Sequence, residues 1–378
     1  MAMPTPSAHS CPDTDVLVVG HGPVGQVLGI LLAQRGWLTT VVDPSSAATS
    51  IPSVIGFDSE TMRVLASAGL GTRLRQIGVP AICLEFENAT LRFSQPKRWA
   101  CLTLFHQPAL QAALADRERK LPNLTVVRGV EAALLVDRGG YAEVVAGGDV
   151  ITASWVVGCD GMHSFHHETD RWRSGRILLA GDSANLAPLL AGPGMCAGIR
   201  DSSNLAWKLD LVLRDRANEA LLDSYAVERQ NPRRLSSGVV HPATGDHTGQ
   251  LLPQASVATA DQRGALDDVV GRGFVLMSTA PPKEVLTDRL RAFLHDIDAH
   301  VVQLLPAGTP LDQAGGGTVV DVDDVYLPYL AEAGEIGALV RPDFYLFGTA
   351  HDECDLADLV DDLREQLFRR RFRPRPIE

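Results

Sequence analysis

The sequence lacks paired cysteines, long apolar runs and net positive charge, and each lack removes a class of function. Its six cysteines (Cys11, Cys83, Cys101, Cys159, Cys196, Cys354) are scattered, with no C-x-x-C. That pattern argues against a thiolate metal site or a disulfide framework and fits a reducing, cytoplasmic compartment. No apolar stretch reaches the ~18 residues that span a bilayer. The first 14 residues have neither the basic region nor the apolar core of a secretory leader, and read as a flexible lead-in. The formal charge is −12, which disfavours nucleic acid or an anionic membrane as partner. The run Arg369-Arg370-Arg371-Phe372-Arg373 is a local exception and reads as a solvated tail. A soluble intracellular protein is expected.

What is present is enough for two or three domains: 378 residues, 45% hydrophobic and 21% charged. The chain is organised around Asp15 to Asp43. Val16 to Val19 is an unbroken apolar run, as a parallel strand covered on both faces requires. It enters Gly20-His21-Gly22-Pro23-Val24-Gly25, a G-x-G-x-x-G, and apolar residues then recur at helical spacing to a stop at Gly36. Leu38 to Val42 is a second β-rich run and ends in Asp43. Gly20 allows the tight turn, Gly22 admits a pyrophosphate, and Gly25 lets helix pack on strand. The helix N-terminus offers free N–H groups to phosphate, and Asp43 can accept from a ribose hydroxyl. This is a dinucleotide site. The fingerprint alone leaves NAD and FAD both open.

Downstream, Asp58 to Ala68 reads as a helix capped by Asp58 or Ser59 and ended by Gly69. Ile82 to Phe86 and Thr90 to Phe93 read as a hairpin around Asn88-Ala89, and Pro108 to Arg119 as a helix before the strand Leu124 to Val127. Val130 to Val136, Tyr141 to Val145 and Val150 to Val157 alternate between glycine pairs, which predicts a β-meander added to a Rossmann-like core. Then come Trp155-Val156-Val157-Gly158-Cys159-Asp160-Gly161 and the buried strand of Gly175 to Asp182. A loop rich in small residues follows, then a helix from about Ala197 to Arg214. Either aspartate taken singly also suits a turn or cap.

Three blocks together resemble the class A FAD-dependent aromatic hydroxylases, the para-hydroxybenzoate hydroxylase-like flavoprotein monooxygenases. They are GHGPVG with Asp43; VVGCDGMHS, similar to the family's DG motif; and Gly175 to Leu209, similar to its GD motif and the helix after it. The chain most resembles the 3-(3-hydroxyphenyl)propionate and phenol hydroxylase branch, because its C-terminal part matches too. That part reads strand (Phe274 to Met277), helix (Val285 to Leu294), strand (Val301 to Leu305), helix (Tyr326 to Ala333), strands Gly337 to Arg341 and Tyr345 to Phe347, and helix Leu356 to Leu367. This order is thioredoxin-like, but without C-x-x-C it predicts no redox role. The expected fold class is α/β: a Rossmann-like FAD-binding domain with β-meander over 15–240, and a thioredoxin-like C-terminal domain over 250–370.

The resemblance implies an FAD-dependent, NADPH- or NADH-consuming monooxygenase acting on a phenolic or polyketide-like aromatic. It implies that Gly20, Gly22, Pro23, Val24 and Gly25 line the FAD pyrophosphate and that Asp43 holds the adenosine ribose. Gln107 lies near the cofactor, and Asp160 and Gly161 between FAD and the nicotinamide. Gly181 and Asp182 hold the ribityl chain, and amides of Gly194, Met195 and Cys196 face the flavin pyrimidine. No general base is identified; His163, His166 and His167 read as solvated loop residues.

The chain also departs from the family. Asp160 and Asp182 stand only 22 positions apart, where family members carry the sheet that roofs substrate and flavin. A second contraction lies between Arg234 and Gly249. Ser53, Asn185, Leu189 and Pro193 replace residues usual in the family. A thinned roof exposes the oxygen-activated flavin to water, which turns reducing equivalents into hydrogen peroxide. Two readings follow: a hydroxylase with a reduced pocket or one completed by another copy of the chain, or a flavoprotein that binds FAD without hydroxylating. A simple NAD(P) dehydrogenase explains the fingerprint but not the GD block.

Overall fold

The computed structural model describes residues 11–47, 54–81, 83–86, 89–92, 99–161, 171–185, 193–230, 235–242, 247–313 and 316–371. The chain divides into two compact units: Met1–Ile55 with Phe105–Ser202, and Gly56–Leu104 with Ser203–Glu378. In chain order, β1 (Thr14–Val19), α1 (Pro23–Gln34) and β2 (Thr39–Asp43) are followed by β3 (Val54–Asp58), α2 (Ser59–Leu65), α3 (Gly71–Ile77), β4 (Val79–Pro80), β5 (Cys83–Phe86), β6 (Ala89–Arg92) and β7 (Leu102–His106). Next come α4 (Gln107–Glu118), β8 (Leu124–Arg128), β9 (Ala132–Asp137), β10 (Ala142–Ala146), β11 (Asp149–Gly158), β12 (Arg173–Ser174), β13 (Ile177–Leu179) and α5 (Pro193–Leu213).

The first unit is built on an eight-stranded sheet whose main path runs β12-β13-β11-β1-β2-β8, with β10 and β9 added on β11. β13, β11, β1, β2 and β8 are parallel neighbours. Val16, Leu17 and Val18 of β1 are fully buried, as a central strand in such a sheet demands. The register brings the strand ends level: Val19 pairs with Val42 and with Gly158, and Gly158 with Leu179. The Gly20 turn, Asp43, Asp160 and Asp182 therefore all leave the sheet at its carboxyl edge. In open α/β sheets that edge is where ligands bind.

The meander is present, with one difference from expectation. β11 pairs antiparallel with β10 from Asp149 to Ala153, and parallel with β1 from Ala153 to Gly158. Its ten residues thus make both the last meander strand and a core strand. The alternating half and the continuously buried half, Trp155 to Gly158, follow this division. The helix expected from Asp58 does start there, with Asp58 accepting from Thr61 N–H at 2.8 Å. It loosens into a wide turn over Ala66–Leu70, where Gly69 adopts φ 91°, and α3 resumes at Gly71. The hairpin pairs Phe86 with Ala89, one residue earlier than expected.

The second unit adds α6 (Ser224–Gln230), β14 (Ser256–Ala258), β15 (Arg263–Ala265), α7 (Leu266–Val269), β16 (Val275–Ser278), α8 (Pro282–Val285), α9 (Asp288–Asp296), β17 (His300–Leu305), β18 (Thr318–Asp321), α10 (Tyr326–Glu332), β19 (Gly337–Val340), β20 (Leu346–Ala350) and α11 (Glu353–Leu367). Its seven-stranded sheet runs β15-β14-β18-β17-β16-β19-β20. β16, β17 and β18 are parallel, whereas β19 and β20 return antiparallel. Met277, Val302, Leu304 and Ala338 meet in its core. The single helix expected over Val285 to Leu294 is two: Leu286 is extended, and Thr287 caps a new helix by accepting from Leu290 N–H. β14, β15 and β18 are too short for periodicity to reveal.

Candidate dinucleotide-binding site

The first turn forms where β1 hands over to α1. Gly20 adopts φ +105°, and a Cβ there would collide with the Cys159 carbonyl. Its amide donates to the Val42 carbonyl at 2.8 Å. Gly25 packs against the Gly20 carbonyl so closely that a Cβ has no room. Gly22 differs. It caps α1 with an ordinary extended backbone (φ −70°, ψ 174°), and a Cβ added there would meet nothing within 4 Å. Among the described residues nothing requires glycine at 22; the open space is what a closely approaching ligand needs. No side chain caps α1, and Pro23 opens it. Val24 packs against Gly181 and against Gly198 of α5.

Asp43 is oriented by two backbone amides: Oδ2 accepts from His21 N–H at 2.7 Å and Oδ1 from Ser45 N–H at 2.8 Å. It lines a cavity of about 270 Å³ together with Gly22, Ser45, Gln111 and Arg128. Gln107 is the first residue of α4, while the polar α4 residue lining this cavity is Gln111, one turn further on. The Oε1 of Gln111 is buried and has no hydrogen-bond partner among the described residues. An orphaned acceptor at a cavity wall is itself evidence for an absent partner.

The DG and GD motifs meet through a residue that motif reading missed. Ser183 Oγ donates to Asp160 Oδ1 at 3.0 Å and accepts from Gly161 N–H at 2.8 Å. Gly181 adopts φ +68° and donates its amide to Asp201 Oδ2 at 3.1 Å. Asp182 sits half-buried in the short turn of 3₁₀ helix Gly181–Ser183. Its carboxylate accepts no hydrogen bond from the described residues, so it is available to hydroxyls. α5 starts at Pro193, four residues before the expected Ala197. Gly194, Met195 and Cys196 therefore stand in its first turn rather than in a preceding loop, and first-turn amides have no partner within a helix.

Burial pushes the Cys159 thiol well above its ordinary range, with Asp160 and Asp201 adding to the effect; it is a buried, inert thiol. His21 fills the variable position of the fingerprint. Its Nε2 lies 2.8 Å from Glu118 Oε1 and its Nδ1 2.6 Å from the Arg128 guanidinium. These partners are 97 and 107 positions away in sequence, so no local signal could pair them. His163, His166 and His167 lie outside the described residues, as do Ser53 and Leu189.

The open space at Gly22, the orphaned Gln111 acceptor and the unengaged Asp182 carboxylate fit a dinucleotide laid along the carboxyl edge. A family model described as FAD binding domain matches residues 13–169 and 165–235, and one described as HcaD C-terminal domain matches 249–366. The site is thus that of a flavin-binding protein. The chain belongs to the FAD-binding domain family.

Among its relatives is a probable NADH-specific resorcinol 4-hydroxylase of Rhodococcus jostii (strain RHA1), 24% identical, with 92% of this chain and 94% of the relative covered. That alignment extends over 513 residues, more than this chain contains, so the relative carries inserted sequence. A 3-(3-hydroxy-phenyl)propionate/3-hydroxycinnamic acid hydroxylase of Mycobacterium avium (strain 104) is 27% identical over 59% of each chain. The fold matches the flavin-dependent monooxygenase PieE in complex with FAD and substrate (TM-score 0.76, 16% identity, 94% of this chain and 100% of that one). It also matches aklavinone-11 hydroxylase with FAD and aklavinone (TM-score 0.75, 18% identity, 95% and 100%). The fold is that of the flavin-dependent monooxygenases. Among the described residues no helix is long and apolar enough to cross a membrane.

Proposed function

We propose that the protein is an FAD-dependent monooxygenase that consumes NADH and hydroxylates a phenolic ring of the resorcinol or hydroxyphenyl-acid kind. The observation that carries this reading is the convergence of Gly22, Asp43, Asp160 and Asp182 on one sheet edge, set by the registers of β1, β2, β11 and β13. Bound FAD supplies the two-electron step from NADH and the delivery of one oxygen atom to the ring. Overall, an aromatic C–H, O₂, NADH and a proton give the phenol, NAD⁺ and water.

The protein's residues hold and orient. Gly20 to Gly25 admit the pyrophosphate, Asp43 takes the adenosine ribose and Asp182 the ribityl hydroxyls. Asp160 and Gly161, fixed by Ser183, border the side from which NADH arrives. Gln107 opens the helix beside the cofactor, and Gly181 turns the chain toward it. Amides of Gly194, Met195 and Cys196 at the α5 N-terminus stabilise negative charge on the reduced flavin. The domain limits remain at 15–240 and 250–370 in this reading. The second domain is thioredoxin-like on the order β17-β16-β19-β20 and serves as scaffold or interface.

A second reading, a flavoprotein that releases its reducing equivalents as hydrogen peroxide, is favoured by the brevity of the link from Gly161 to Arg171. After it only β12 and β13 precede the GD turn, too little chain for a roofing sheet. A second copy of the chain covering that face would restore coupling. Purified protein carrying an oxidised-flavin absorption spectrum, with NADH consumption raised by phenols, supports the hydroxylase. NADH consumption indifferent to any phenol supports the second reading.

A further inference from the structure

Arg128, the last residue of β8, is in register with Asp43, the last residue of β2, and both line the same cavity. The guanidinium is always protonated and only donates, so His21 Nδ1 must accept from it. The neutral imidazole then carries its proton on Nε2 and donates to Glu118 Oε1. Glu118 is also held by Gln26 Nε2 at 3.3 Å. His21, Gln26 and Glu118 are all buried, which makes the chain Glu118–His21–Arg128 a fixed strut. Among the described residues no carboxylate pairs with Arg128. Its charge is aimed by a neutral ring, and no described acid cancels it.

The same cavity therefore presents a fixed guanidinium, a Gln amide with an unmet acceptor, and a carboxylate held by two backbone amides. This set is complementary to an adenosine. Adenine offers an amino donor beside a ring acceptor, which a Gln amide matches. Its π face takes a guanidinium, and its ribose hydroxyls suit Asp43.

We propose that Gln111 and Arg128 are the adenine-recognition residues of the site and that His21 is the positioning residue for Arg128. The proposal rests on the FAD reading and assigns its adenosine end. FMN lacks the adenosine and so leaves these groups unused.

The test is titration of the full-length protein, freed of flavin, with FAD and with FMN, followed by flavin absorbance and fluorescence. The wild type should bind FAD more tightly than FMN. Arg128→Gln and Gln111→Leu should each weaken FAD about tenfold and leave FMN unchanged. His21→Phe removes the Nδ1 acceptor and should match Arg128→Gln. Combining the two should weaken FAD no further, and His21→Gln, which restores an acceptor, should recover affinity. Should His21→Phe fail to fold, the two half-buried positions 111 and 128 carry the test alone. FAD and FMN affinity falling together, or neither falling, overturns the proposal. A wild type that takes up no flavin overturns the FAD reading itself and the proposal with it.

Discussion

Ser183 Oγ bridges Asp160 and Gly161, donating to the carboxylate at 3.0 Å and accepting from the amide at 2.8 Å. One hydroxyl thus ties the turn after β11 to the turn after β13. Removing it takes one hydrogen bond from the Asp160 carboxylate and the Ser183 acceptor from the Gly161 amide. A neutral hydrogen bond of this kind contributes ~1 kcal/mol. Ser183→Ala should weaken FAD binding by about fivefold with little change in melting temperature, as measured by flavin titration and thermal unfolding.

Gly22 separates folding from binding. Its backbone is ordinary and its Cβ direction is open, so Gly22→Val should fold with near wild-type stability. The added side chain should occupy the approach to the pyrophosphate and abolish flavin retention. Flavin content equal to wild type would remove the fingerprint from the site.

Asp182 should hold the ribityl hydroxyls through charge-assisted hydrogen bonds. Asp182→Ala is expected to weaken FAD by ~1.5–3 kcal/mol. An unchanged dissociation constant would show that the GD turn is structural only.

The dinucleotide fingerprint was legible because strand, turn, helix and acid lie within 30 residues and each imposes its own residue type. The DG and GD blocks took their meaning from resemblance, since an aspartate after a strand suits many turns. What could not be read lies in long-range pairings. β11 changes partners at Ala153, where both β10 and β1 meet it, and no period in the sequence marks that change. Ser183, Gly198 and Asp201 look like ordinary loop and helix residues. Their roles appear only when the turn at Gly181 is packed against α5.

The second unit contains a buried charge cluster. Glu228 Oε2 accepts from Arg341 at 2.7 Å and Lys208 at 2.9 Å, and Arg341 also pairs with Asp343 at 2.7 Å. Burial alone would raise the Glu228 carboxyl, but Arg341 and Lys208 outweigh it and hold it well below the usual carboxylate range. Burial pushes the Lys208 ammonium down to about 8 against the pull of Glu228. A carboxylate depressed in the folded state adds stability above its unfolded pKa of ~4.3, and that stability is lost as pH falls toward the folded value. Glu228→Gln should therefore destabilise by ~3–5 kcal/mol at pH 7, because two cations stay buried with one partner missing. The deficit relative to wild type should shrink on acidification, as read by urea unfolding at neutral and acid pH.

Hydroxylation is tested most directly by where the oxygen goes. Purified protein supplied with FAD, NADH, ¹⁸O₂ and a panel of resorcinol-type and hydroxyphenyl-acid substrates should give a hydroxylated ring carrying one ¹⁸O. Because the connection between Asp160 and Asp182 is short, part of the NADH should appear as hydrogen peroxide alongside that product. NADH consumed entirely to hydrogen peroxide, with no labelled product from any phenol, would contradict the hydroxylase.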